Sequence, residues 1–131
     1  MTYCLDTNIV IAVLQNHDRV VARLRSCRVS DIRIPEIVRA ELLFGCLKSV
    51  DPAAERKRVD HVLSPFRRVP FSGDAADHYA SIRLHLEQAG NLIGPNDMLI
   101  AATAMAVGAV MVTSNTSEFA RVPGLVVEDW A

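Results

Sequence analysis

Thr2-Tyr3-Cys4-Leu5-Asp6-Thr7-Asn8-Ile9-Val10-Ile11 is the stretch on which the fold turns. Thr2 to Leu5 reads as a short buried strand, and Asp6 ends it. From Thr7 to Gln15 the apolar residues recur at helical spacing, so the chain passes from strand to helix across one acidic residue. Downstream the same alternation returns. Helical spacing resumes over Asp18 to Cys27 after the break at Asn16-His17, and Ile32 to Ile34 is a second strand stopped by Pro35. Pro35 suits the first turn of a helix reaching about Lys48, and Asp51-Pro52 opens another to about Leu63. Arg68 to Phe71 reads as a third strand, followed by a long helix from Ser72 that Ala89-Gly90-Asn91 ends. Pro95 starts a helix to Val107-Gly108, Ala109 to Thr113 is a buried strand, Asn115 to Ala120 a helical turn, and Leu125 to Glu128 a last strand.

Strands alternating with helices predict an α/β fold, with a parallel sheet covered on both faces. At 131 residues the chain fits a single domain, 1–131, and half its residues are hydrophobic, enough for a substantial core. No run approaches the roughly 18 apolar residues of a membrane span. The N-terminus lacks the layout of a signal peptide, because Asp6 interrupts it early. Cys4, Cys27 and Cys46 are odd in number and without metal-site spacing, so reduced thiols in a cytoplasmic protein are expected.

Three acids stand out against apolar surroundings. Asp6 follows a strand directly, Glu41 shares a helical face with Ile37 and Phe44, and Asp97 shares another with Ile100, Ala101 and Ala104. A carboxylate removed from water without a partner is costly, so acids in such places need cations. Each has a plainer reading. Asp6 can cap the helix from Thr7. Glu41 can form an ion pair at a helix edge, with Arg39 or Lys48 as candidates. Asp97 lies in a first turn, where acids are favoured. Glu118 fits a capping box from Asn115. Against these, ligands in open parallel sheets bind beyond the carboxyl ends of the strands. Asp6 and Asn115 follow such ends, and the helix of Asp97 is apolar nearly all round. Folding can therefore gather these acids into one metal-binding pocket. Thr7, Asn8 and Thr113 add hydroxyl and amide groups. Oxygen-only ligands select Mg²⁺ or Mn²⁺ over zinc, and the four histidines, His17, His61, His78 and His85, read as exposed.

Net charge is −1, yet arginines cluster at Arg19, Arg23, Arg25 and Arg28, at Arg56-Lys57-Arg58, and at Arg67-Arg68. They either solvate helix faces or hold a polyanion whose phosphates are drawn to metals in the acidic pocket.

Leu5-Asp6-Thr7-Asn8, Ala40-Glu41-Leu42-x-x-Gly45, Asn96-Asp97-x-x-Ile100-Ala101-Ala102 and Thr113-x-Asn115-x-x-Glu118-Phe119 together resemble the PIN domain, and within it the VapC ribonuclease toxins. The resemblance spans nearly the whole chain in order and spacing. It implies a three-layer α/β/α sandwich around a mostly parallel sheet, and a Mg²⁺- or Mn²⁺-dependent endoribonuclease. It also implies a homodimer and inhibition by a VapB-like antitoxin. Family roles carry over to Asp6, Glu41 and Asp97 as acids around the metal. Relatives often place aspartate at the position of Asn115 or Glu118; here Glu118 is taken as the fourth acid, with Asn96 and Asn115 as polar support. The implied reaction is in-line attack of water on an RNA phosphodiester, leaving a 5′ phosphate and a 3′ hydroxyl, with transfer RNA as the expected substrate. Two rivals remain: a phosphatase using Asp6 as nucleophile, and a PIN-like module that binds RNA or protein without cutting.

Overall fold

The computed structural model describes all 131 residues, Met1–Ala131. Its five strands are β1 (Tyr3–Leu5), β2 (Ile32–Pro35), β3 (Arg67–Val69), β4 (Val110–Val112) and β5 (Val127–Glu128). They form one wholly parallel sheet in the order β3-β2-β1-β4-β5. β1 and β4 are buried at every residue, as the unbroken apolar runs require of central parallel strands.

Seven helices connect them. α1 (Thr7–Leu14) and α2 (Asp18–Arg25) lead from β1 towards β2; α3 (Glu36–Leu47) and α4 (Pro52–Leu63) lead from β2 to β3. α5 (Ala75–Gln88) and α6 (Pro95–Ala106) carry the chain back across the sheet to β4, and α7 (Thr116–Phe119) precedes β5. The direction of travel reverses after β3. With right-handed crossovers, that reversal puts the two helix sets on opposite faces. α1 packs against α2, α3 and α4, while α5 packs along α6. The three-layer architecture expected from the sequence is thus present.

A single cluster of 28 buried residues fills the interior, with Leu5, Ile9, Ile34, Ile100, Met111 and Phe119 essentially inaccessible to water. α6 is buried at Met98 and at Ile100 through Ala104. Its alanines let it lie close against its neighbours, which explains a helix apolar nearly all round.

Several boundaries differ from the sequence reading. The third strand is Arg67–Val69, not Arg68 to Phe71, because its ladder ends where Pro35 pairs with Val69. Pro35 is accordingly the last strand residue (ψ 139°) and precedes the first turn of α3 instead of occupying it. α5 begins at Ala75, since Gly73 takes a left-handed φ of +57° that breaks any helix from Ser72. β5 shrinks to two residues, facing Met111 and Val112. A contact that the sequence did not suggest closes the fold: Trp130 meets Tyr3 edge-on at 5.5 Å, and the Arg23 guanidinium lies 5.6 Å and 5.2 Å from the two ring centroids.

Candidate functional site

β1 and β4 lie side by side, and their following connections leave in opposite directions, so a crevice opens beyond their carboxyl ends. Asp6 stands there. Its backbone N–H donates to the Val112 carbonyl (2.9 Å), so Asp6 extends the β1–β4 ladder by one bond. Its side chain is only 4% exposed. Oδ1 accepts from the Thr7 N–H (2.8 Å) and Oδ2 from the Thr113 hydroxyl (2.7 Å). The capping role foreseen for Asp6 is real and uses one oxygen; Thr113 holds the other towards the crevice. Burial still raises the Asp6 pKa above its ordinary value, the two hydrogen bonds oppose this, and the charge of Glu118 adds to it.

Glu41 reaches the same crevice from α3, where Oε1 accepts from the Thr7 hydroxyl (3.2 Å). The ion pair weighed for it does not form: Arg39 binds Glu36 (3.4 Å), and Lys48 lies over the Phe44 ring. Burial raises the Glu41 pKa, with Thr7 opposing and Asp6 adding. Its apolar flanks are less covered than expected, because Phe44 is 62% exposed and Ala40 is also at the surface.

Asp97, in the first turn of α6, packs against Gly94, where an added Cβ would lie 3.5 Å from Asp97 Oδ2. Its pKa is pushed up to about 7. Burial is the largest cause, followed by a hydrogen bond with Glu118 and by the charges of Asp6, Glu118 and Glu41. These outweigh the helix dipole, which alone would favour the ionised form. Glu118 accepts from Asn115 Nδ2 (2.9 Å). The capping box expected for it is absent, because the Asn115 backbone N–H is already taken by the Thr113 hydroxyl (2.9 Å). In a four-residue helix the side-chain link replaces the cap.

Four acids from four different segments therefore share one neighbourhood, and none belongs to any of the six ion pairs in the molecule. Thr7, Thr113 and Asn115 are tied into the group; Asn8 and Asn96 are exposed and bond to none of the acids. His17, the histidine nearest in sequence, instead caps α2 by accepting from the Val20 N–H (3.4 Å). No three side chains are grouped tightly enough to grip an ion by themselves. The donors are all oxygens and the charge is uncompensated. That combination fits a hard cation such as Mg²⁺, which keeps several waters and needs only one or two carboxylates directly.

Beside Thr7 and Glu41 runs a cleft of about 240 Å³ between α1, α3 and α4, with Ile11, Leu14, Leu42 and Gly45 on its walls and Arg58 at its border. Arg58 spans it by donating to the Leu14 carbonyl (2.8 Å). Helical periodicity gave no sign of this opening.

The PIN domain family matches residues 3–125. The chain belongs to the PIN domain family. Within it, the chain is 39% identical to ribonuclease VapC2 of Rickettsia felis over 132 residues, covering 99% of this chain and 98% of that protein. It is 33% identical to the tRNA(fMet)-specific endonuclease VapC of Salmonella typhimurium, covering 99% and 98%. Among solved structures, VapBC2 of Rickettsia felis bound to a DNA fragment from its promoter contains a chain that superposes with a TM-score of 0.93. That match has 37% identity and complete coverage of both chains. This PIN domain is of the VapC ribonuclease type, a toxin nuclease, which sets aside the phosphatase reading. No helix is long and apolar enough to cross a membrane.

Proposed function

We propose that this VapC-type PIN domain, comprising residues 1–131 as one domain, is a Mg²⁺- or Mn²⁺-dependent endoribonuclease that cuts structured RNA, with transfer RNA as substrate. The observation that carries the reading is the meeting of Asp6, Glu41, Asp97 and Glu118 with no arginine or lysine paired to them, Asp97 being held at about 7. Left alone, such a pocket repels a phosphodiester. A bound Mg²⁺ or Mn²⁺ would reverse the local potential, polarise the scissile phosphate and favour ionisation of an attacking water.

The chain's own groups divide the remaining work. Thr113 and Thr7 fix both oxygens of Asp6, so that this carboxylate keeps one orientation. Thr7 also steadies Glu41, linking β1 to α3 through one residue. A hydrogen bond joins Asp97 to Glu118, and burial with the neighbouring acids keeps the Asp97 carboxyl protonated up to about 7; together the two side chains would hold a cation. Asn115 orients Glu118 and needs no charge to do so. The expected products carry a 5′ phosphate and a 3′ hydroxyl.

Relatives solved as VapBC assemblies support a VapB-like antitoxin as partner here too. Its segment would lie in the cleft beside Glu41, with an arginine or lysine substituting for metal charge at the acids. A homodimer acting in the cytoplasm completes the proposal. The test is cleavage of a panel of purified RNAs with EDTA or Mn²⁺, repeated for Asp6→Asn. Cutting at preferred sites that requires Mn²⁺ and vanishes in the variant is expected. Equal cutting by Asp6→Asn, or cutting that persists in EDTA, would remove the metal-acid mechanism.

A further inference from the structure

The side chains of the acidic crevice themselves repel RNA, and no arginine or lysine pairs with its four acids, so a cation there would engage only the scissile phosphate. Backbone affinity for RNA must therefore arise on another part of the surface. Of the arginine clusters, that of Arg56 and Arg58 is largely engaged, and in the cluster of Arg19, Arg23, Arg25 and Arg28 one member is held. Arg56 pairs with Asp60 (3.0 Å) and Arg58 with Glu55 (3.0 Å), while Arg23 is held by Glu128, Tyr3 and Trp130.

The edge strand β3 is different. Its register sets Arg67 directly beside Arg33 of β2, on the same face of the sheet. Neither has a carboxylate within ion-pair distance: the Arg33 side chain donates to the Ser30 and Ile32 carbonyls, and the Arg67 side chain has no hydrogen-bond partner. Like charges facing each other across adjacent strands are destabilising, so an anion is the missing component. Arg68 and Arg39 share one carboxylate, Glu36, at 3.6 Å and 3.4 Å, which leaves this end of the edge positive as well. Two clefts flank the strand. One, of about 230 Å³, is bordered by Thr2, Arg33 and Arg67; the other, of about 210 Å³, by Arg39, Ser64 and Arg68. Asp60 also borders the second, but Arg56 neutralises it.

Positive charge on an edge strand also deters pairing with another sheet. That accounts for Arg67 and Arg68. It does not account for Arg33, which lies on an inner strand. β3 lies two strand spacings from β1, with β2 between them, roughly 10 Å at ordinary strand spacing, and Arg33 and Arg67 are level with Cys4, two residues before Asp6, so one RNA chain reaches both edge and acids.

We propose that the β3 edge, through Arg33, Arg67, Arg68 and Arg39, is the surface that binds the phosphate backbone of the RNA substrate and delivers it to the acids. The proposal rests on the ribonuclease reading and adds to it the surface that sets substrate affinity. Arg33 and Arg67 bind phosphate; they take no part in bond breaking.

The test uses Arg33→Gln with Arg67→Gln, and as a control Arg25→Gln with Arg28→Gln, which removes equal charge elsewhere. Binding of purified bulk transfer RNA is measured in an Asp6→Asn background at several salt concentrations, and cleavage kinetics in the otherwise unaltered enzyme. The edge double variant is expected to bind about tenfold more weakly, with a salt slope shallower by roughly 1.5. Its KM should rise with kcat preserved, and the control should shift less than about twofold. Arg67→Gln alone, which breaks no internal bond, should weaken binding about threefold and guards against misfolding of the double variant. Unchanged affinity in the edge variants, an equal loss in the control, or aggregation with normal affinity of the monomer overturns the assignment. If the parent protein neither binds nor cuts RNA, the ribonuclease reading fails; if it cuts and only the edge variants behave normally, the edge alone is wrong.

Discussion

Neutralising Asp97 should make the metal-free protein more stable while destroying its activity. In the unfolded chain this carboxyl loses its proton near 3.8, whereas in the fold it keeps the proton up to about 7. Between those values the folded state binds more protons than the unfolded one, so stability falls as pH rises through the window and is fully retained below it. The upper bound on the loss is roughly 4 kcal/mol, taken from the displacement at about 1.4 kcal/mol per pH unit. Asp97 is only half-buried, and screening by water brings the figure down to about 1–2 kcal/mol. Asp97→Asn keeps a donor for Glu118 and has no charge to lose. Its stability relative to the parent should therefore climb from near zero at pH 4 to about 1–2 kcal/mol at pH 8, roughly 3–8 °C in Tm. Urea or thermal unfolding in EDTA across that range measures it. Mg²⁺ added at pH 8 should then stabilise the parent more than the variant. Parallel stability curves for the two proteins would refute the claim that the carboxylates strain one another.

Other substitutions separate the parts of the site. Thr113→Val leaves the buried Asp6 Oδ2 without its donor, which should cost about 1–3 kcal/mol and shift the acid limb of the pH–rate profile to higher pH. Glu118→Gln should weaken Mn²⁺ binding on the order of 100-fold, and Asn115→Ala, acting only through Glu118, roughly tenfold by calorimetric titration; the reverse ranking would make Asn115 the direct ligand. Trp130→Ala removes packing on Tyr3 and Arg23 and should lose about 3–5 kcal/mol in urea unfolding, with initial rates below the melt unchanged.

Much of this arrangement was legible because its signals are local. An unbroken apolar run ended by Asp6 needs no partner to be read as a buried strand entering a helix. Asp97 was visible because six of the residues that follow it along α6 are buried, so a polar group at its start had to face something. The links between acids were not legible, since Thr113 and Asp6 are 107 residues apart and nothing in either neighbourhood names the other. Glu118 misled in a more specific way. Its spacing from Asn115 suits a capping box, but the Thr113 hydroxyl, held at the end of β4, reached the same backbone N–H first. Periodicity also gave α3 an apolar face without saying whether anything covers it. Phe44 and Leu47 are 62% and 74% exposed, whereas Leu42 and Cys46 on the same stretch of α3 are buried.

The opposition between site and fold explains where the rest of the stability resides. Asp6, Glu41 and Asp97 all have raised pKa values, so each resists the ionisation that a cation requires. Such strain persists only where surrounding structure over-determines it. Here the crevice is walled by β1 and β4, the most buried strands, and floored by α6, whose core residues are almost entirely inaccessible. The Trp130–Arg23–Tyr3 contact ties the C-terminus to the start of β1, at the end of the strand away from Asp6. Carboxylates forced together by a stiff sheet cannot relax apart when their charge is unbalanced. On the proposed metal-dependent reading, the repulsion remains available to a cation, and the same rigidity that destabilises the metal-free pocket would make its affinity for a divalent ion higher than exposed acids would give.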